Sequence, residues 1–231
     1  MNTESGRESG WRYALVAILV FFLLGMDVLS LFVSTLLDGR SPSDLGISNK
    51  HWYATVGGLL CSITLWTISA ALIVRWARRR GVFESLISMR TDRRVLLVSC
   101  LGVVILAAIS WLESRGVSLS LVSEYRGFEH RYPGYGVLLT TFQYIYYLLE
   151  SVMVVLILAT WQRAGEIWTG MAKIPWGGIG LTLTWGLAHF ASHPEGALTV
   201  VLTALVLGFI FVGIKRNAIV SLVVVWIVFI F

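Results

Sequence analysis

Apolar residues in this chain come in long unbroken runs, not in the alternation of a half-buried strand or the single stripe of a soluble helix. The runs cover about 13–37, 54–74, 95–111, 137–161, 174–191, 197–213 and 217–231, with polar segments between them. Such runs approach the ~20 residues that a helix needs to cross a ~30 Å hydrocarbon core. Backbone groups in that core must pair within the chain, and the missing period-two alternation argues against barrel strands. The pattern predicts an all-α polytopic transmembrane bundle of about seven spans, a single integral membrane domain over 1–231.

Composition agrees with the pattern. Hydrophobic residues make up 57% of the 231 and charged residues only 13%, and the mean hydropathy is +0.79. The first run, about 25 residues long, follows a mixture of acids and bases and shows no small-residue cleavage site. It is therefore expected to stay as a span and not to be removed as a signal peptide. Cys61 and Cys100 fall in different spans, which suggests packing residues and no disulfide or thiolate metal motif.

Charge sets the expected orientation. Thirteen of the eighteen Lys and Arg residues lie in the N-terminal segment and in the connections 75–94, 162–173 and 214–216. The positive-inside rule then places the N-terminus in the cytoplasm and the C-terminus outside the cell membrane. Trp11, Trp52, Trp76, Trp111, Trp161 and Trp176 fall at predicted interfaces, where amphipathic rings belong. The net charge of +5 follows from this asymmetry and gives no reason to invoke nucleic acid. The bilayer is the expected partner, with a membrane-associated peptide or protein as a further candidate.

Two connections carry chemistry-bearing residues. "RWARRRGVFESLISMRTDRR" at 75–94 reads as a topology-setting loop whose short apolar segment could lie along the inner leaflet. "EYRGFEHRYPGYG" at 124–136 holds Glu129 and His130 but reads as a solvated loop with ordinary turn chemistry.

Asp27, Glu150 and His189 are ionisable and fall well inside spans. Each costs roughly 2.5–3.5 kcal/mol if charged at the bilayer centre, so each is expected to face protein or water. At ~1.5 Å rise per residue, Asp27 lies ~21 Å from Tyr13, Glu150 ~20 Å from Arg163 and His189 ~22 Å from Ile174. A common depth permits a site assembled from the first, fourth and fifth spans. Gln143, Tyr146, Tyr147 and Glu150 follow i, i+3, i+4, i+7 spacing, and Thr182, Trp185 and His189 form a second stripe. Such stripes also serve interhelical hydrogen bonding.

The Glu150–His189 pair is the candidate catalytic centre. Desolvation favours the neutral form of each, whereas mutual proximity favours the ion pair. A pair balanced in this way suits proton transfer: the glutamate activating water, the histidine stabilising an oxyanion or donating a proton. No cofactor is required. The alternative is zinc held by Glu150, His189 and His193, a chemically adequate His₂Glu set. It lacks the glutamate of H-E-x-x-H, and Pro194 predicts a helix end at His193, with His193 and Glu195 as interfacial or loop residues.

"GGIGLTLTWGLAHFASHPEGALTVVLTALVLGFIFVGIKRNAIVSLVVVW" resembles the C-terminal half of the CPBP, or Abi, intramembrane proteases, which include the CaaX prenyl endopeptidases. "WGLAH" is similar to the family's aromatic-x-x-x-His motif, with Trp185 and His189 in its two places. "LVLGFIFVGIKRNAIV" resembles the following glycine-containing helix and basic turn, and Glu150 stands like the first glutamate of Glu-Glu-x-x-x-Arg. The resemblance covers about 140–231 and implies an intramembrane endopeptidase working through Glu150 and His189. The chain departs from the pattern at Ser151, in place of the second glutamate, and at Val155, in place of the arginine. Val225 and Trp226 stand near the expected last histidine, and no histidine follows His193. A degenerate, non-catalytic assembly or self-protection protein that keeps the bundle and a polar pocket is therefore the alternative expectation. A proton-relaying transporter is a third, although no internal repeat is evident.

Overall fold

In the computed structural model of the chain, the described residues are 3–45, 48–114, 119–187, 189 and 197–230. They form helices α1 (Thr3–Leu24), α2 (Asp27–Leu37), α3 (Trp52–Arg79), α4 (Phe83–Leu86), α5 (Arg93–Ser114) and α6 (Ser120–Arg131). These are followed by α7 (Gly136–Thr169), α8 (Trp176–Leu181), α9 (Ala197–Gly213) and α10 (Ala218–Val228). A 3₁₀ turn occupies Pro42–Asp44, and a π-helical turn at Thr182–Gly186 continues α8. Among the described residues there is no strand, only an isolated bridge between Ser88 and Asn217.

Four helical stretches are long and apolar enough to cross a membrane: Gly10–Leu37, Trp52–Arg79, Arg93–Leu112 and Gly136–Thr169. Shorter apolar helices cover Leu198–Gly213 and Ala218–Val228. At ~1.5 Å rise per residue, the 11 residues of α10 span only ~16 Å.

The first of these stretches is broken. At Gly25 and Met26 the helical bonding tightens, with Val28 N–H donating to Gly25 O at 3.4 Å and Leu29 N–H to Met26 O at 2.9 Å. Carbonyls at a helix end lose their i+4 donors. Trp66 of α3, 1% exposed, supplies a replacement by directing its indole N–H at both Leu23 O and Leu24 O, each at 3.2 Å.

The long helix α7 runs through the middle of the molecule and packs against α1, α3, α6, α8 and α10, while α5 packs against α9 and α10. Met153, Ile157 and Leu158 of α7 are fully buried, as are the large side chains of Trp66, Phe211 and Ile214. Close approach of α8 and α9 depends on glycine: a Cβ on Gly178 would stand 2.8 Å from Gly208 Cα and 3.0 Å from Ala204 O.

Two connections differ from the reading of the sequence. The short apolar segment after α3 folds inward instead of lying along a leaflet: Leu86 is 3% exposed, and Phe83 and Ile87 pack on the core. Ser88 pins it, its N–H donating to Arg216 O and its carbonyl accepting from Ala218 N–H, both at 2.8 Å. The expected loop at 124–136 is largely helix, since α6 reaches Arg131. Glu129 closes the turn that follows by accepting the N–H groups of Gly134 and Gly136 at 2.8 and 3.0 Å. Its carboxylate is thereby a structural cap.

Candidate functional site

The break between α1 and α2 puts Asp27 against α3 and α7. Its Oδ1 accepts hydroxyl protons from Ser30, at 2.9 Å, and from Ser62 of α3. Its Oδ2 accepts from Tyr146 of α7 at 3.2 Å. Tyr146 also packs against Trp66, ring centroids 4.7 Å apart. The carboxylate is thus held from neighbouring helices by the hydroxyls of Ser62 and Tyr146, while Ser30 shares its single proton between Oδ1 and Asp27 O, the latter at 2.6 Å.

Glu150 lies one turn beyond Tyr146 on α7, buried to 8% exposure. Its Oε1 accepts a long hydrogen bond, 3.4 Å, from the indole N–H of Trp185 in the π turn. Trp185 also reaches His189: its carbonyl lies 3.0 Å from His189 Nδ1, and the two rings are 4.4 Å apart between centroids. A carbonyl can only accept, so Nδ1 carries the proton and Nε2 is the nitrogen that gains or loses one. Trp185 therefore links acid to imidazole through its side chain at one end and its backbone at the other. π turns recur at functional sites because the extra residue rotates the following side chains.

Other residues proposed for this constellation turn elsewhere. Tyr147 does not join Glu150; its hydroxyl donates to Glu124 Oε1 of α6 at 2.6 Å, and its ring stacks on Phe229. Adjacent helical residues are ~100° apart, so Tyr146 and Tyr147 serve different sides of α7. Thr182 spends its hydroxyl on Gly178 O at 2.9 Å within its own helix. Gln143 remains half-buried on α7. His193, with Pro194 and Glu195, lies outside the described residues, and so does the full zinc set. Among the described residues no group of three or more His, Cys, Asp or Glu side chains is placed to hold a metal.

The spans contain polar partners that the spacing of ionisable residues did not reveal. Ser62 and Trp66, at i and i+4 on α3, carried a faint signal as a serine and an indole on one face. At the other end of α7, Gln162, fully buried, donates to Glu166 Oε1 at 2.8 Å and to Ile174 O at 2.9 Å, and accepts from Gly177 N–H at 3.0 Å. Arg216 donates to the same Glu166 Oε1 at 2.5 Å. This network joins α7, α8 and the turn between α9 and α10.

Beyond α2, Asp38 accepts the backbone N–H groups of Lys50 and His51 and contacts the His51 ring, all within 2.9–3.1 Å, and pairs with Arg40 at 2.7 Å. Burial opposes its ionisation, but these donors and the Arg40 charge outweigh that and hold its pKa at about 2. The arrangement clamps the connection between α2 and α3.

Comparison with family models, curated proteins and solved structures finds no match to this chain.

Proposed function

We propose that the chain is a multi-pass cell-membrane protein of about seven spans, N-terminus inside and C-terminus outside, built around a CPBP-like acid–imidazole pair that cuts a membrane-associated peptide. The observation that carries this reading is the coupling of Glu150 to His189 through Trp185. Ionisable groups at this depth are costly and mark functional sites by default.

In the reaction, Glu150 takes a proton from water as the water oxygen adds to the peptide carbonyl carbon. His189, anchored through Nδ1, gives the Nε2 proton of its imidazolium form to the departing amine as the C–N bond breaks. The proton held by Glu150 then restores the imidazolium, and the products are a carboxylic acid and an amine. Neither step calls for a cofactor.

A second reading, a non-catalytic assembly or self-protection protein, has its own support. Ser151 closes its hydroxyl on Tyr147 O at 2.7 Å, and Val155 is buried at 6% exposure. The positions where the family carries its second glutamate and its arginine thus supply no charge. Separate Glu150→Gln and His189→Ala variants distinguish the readings when folded yield and fragmentation of co-expressed membrane peptides are followed together. Cleavage by the parent protein that disappears at normal yield supports the peptidase. Absence of cleavage by the parent protein, with yield falling in both variants, supports the structural pair.

A further inference from the structure

Three arginines, Arg78, Arg79 and Arg80, close α3. The helix stops on Gly81, whose φ is 63°, with Val82 N–H donating to Ala77 O and Gly81 N–H to Arg78 O, both at 3.0 Å. This is a Schellman ending, in which glycine takes the left-handed place without a Cβ clash. It turns the chain back so that Val82 packs on the core. At one level Trp66 meets Leu23 and Leu24, and at another Trp76 meets Tyr13, ring centroids 6.5 Å apart. The helices α1 and α3 therefore run antiparallel, and Arg12 stands at the same end as Arg80.

A cavity of about 600 Å³ opens between these ends, lined by Arg12 and Arg80, the rings of Tyr13 and Trp76, and the apolar side chains of Leu15 and Val16. Both arginines are exposed, and among the described residues neither forms an ion pair. Two guanidiniums on one space suit a group with several anionic oxygens, which the planar N–H fork holds in pairs. Glu84, just past the end of α3, borders a different cavity beside Lys215 and Arg216. Tyrosine and tryptophan rings favour headgroup level in a bilayer. Leu15 begins an apolar stripe that continues through Leu19 and Phe22, at i, i+4 and i+7 along α1, and these residues are 62, 52 and 65% exposed. A soluble phosphate compound leaves that stripe uncovered, whereas a phospholipid lays an acyl chain on it. Against ~30 Å³ for a water in the liquid, the cavity admits a phosphate together with the glycerol that carries it.

We propose that this cavity binds an anionic phospholipid of the inner leaflet, its phosphate on Arg12 and Arg80, its glycerol against Tyr13 and Trp76, and one acyl chain along Leu15, Leu19 and Phe22. Basic pockets between spanning helices on the cytoplasmic side bind such headgroups. The choice of leaflet rests on the orientation proposed above; the binding itself does not, and neither depends on the chemistry at Glu150.

Native mass spectrometry of the full chain from neutral detergent micelles tests this, because it counts retained lipids and has no sidedness. Saturable retention of dioleoyl phosphatidylglycerol is expected, with dioleoyl phosphatidylcholine held more weakly. The double variant Arg12→Gln/Arg80→Gln should weaken phosphatidylglycerol retention about tenfold or more, each basic residue near a membrane surface being worth about fivefold. Arg93→Gln/Arg94→Gln removes the same charge at the start of α5 and should leave retention unchanged. Should the first double variant not fold, Arg12→Gln and Arg80→Gln must each show the loss of about fivefold singly. Equal affinity for phosphatidylcholine, equal losses in the two double variants, or no saturable retention each overturns the proposal. Binding of glycerol 3-phosphate alone as tightly as the lipid would assign the site to a soluble phosphate ester and overturns it too.

Discussion

The hydroxyl of Tyr146 donates to Oδ2 of Asp27 across 3.2 Å, tying the middle of α7 to the break between α1 and α2. Ser62 reaches the other oxygen from α3, so one carboxylate fastens three helices. Tyr146→Phe and Ser62→Ala should each lower stability by about 1 kcal/mol, the net worth of an interhelical hydrogen bond in membrane or water. The two losses should be non-additive, because both donors serve one acid. Unfolding in mixed micelles measures the double-mutant cycle; two silent substitutions would remove Asp27 as a fastener.

Trp66→Phe keeps an aromatic ring beside Tyr146 but deletes the donor shared by Leu23 O and Leu24 O. Leu23 O keeps the Met26 N–H at 3.3 Å, so the cost falls on Leu24 O, and a carbonyl left without its donor costs about 1–3 kcal/mol. The expected readout is a lower melting temperature with unchanged helical circular dichroism. A full loss of helix signal would instead mean that the indole is needed for α1 to form.

Gly178→Ala places a methyl group 2.8 Å from Gly208 Cα, and backbone cannot move aside as a side chain can. Overpacking of this kind costs about 1–3 kcal/mol. Gly127→Ala is the control, since nothing lies within 4 Å of a Cβ there and alanine gains up to about 1 kcal/mol in a helix. The two alanines should therefore shift the melting temperature in opposite directions.

Asp38 predicts an acid-dependent stability. Its folded pKa, about 2, lies below the ordinary 3.8, so the folded state binds fewer protons than the unfolded one between those values. The stabilisation is present above pH 3.8 and is lost as pH falls through about 2. Asp38→Asn should flatten the stability profile across that window and leave the remaining pH dependence in place. An unchanged slope between the two pH values would exclude Asp38 as its source.

Much of the candidate site follows from single-helix arithmetic. Tyr146 and Glu150, four apart, share a side of α7, and Trp185 and His189, also four apart, touch each other. The same arithmetic overreached at Tyr147, which spacing puts with Glu150 but which bonds to Glu124 of α6. A stripe defined by i, i+3 and i+4 is broad enough to face two neighbours at once. Thr182 shows a different failure: threonine in an apolar helix can satisfy its hydroxyl on the preceding turn, as it does on Gly178 O.

By itself the sequence determined that this chain is helical and apolar along most of its length, because backbone hydrogen bonds in a helix are local and side-chain hydropathy is a property of each residue. It also determined that a few acids and a histidine sit far from the ends of those runs. Only the tertiary structure decided that the first run breaks at Gly25, that Trp66 covers the break, and that Asp27 meets Ser62 and Tyr146. Those outcomes depend on how neighbouring helices are placed and rotated about their axes. When nearly every face of a helix is apolar, residue spacing carries little record of which face meets which neighbour.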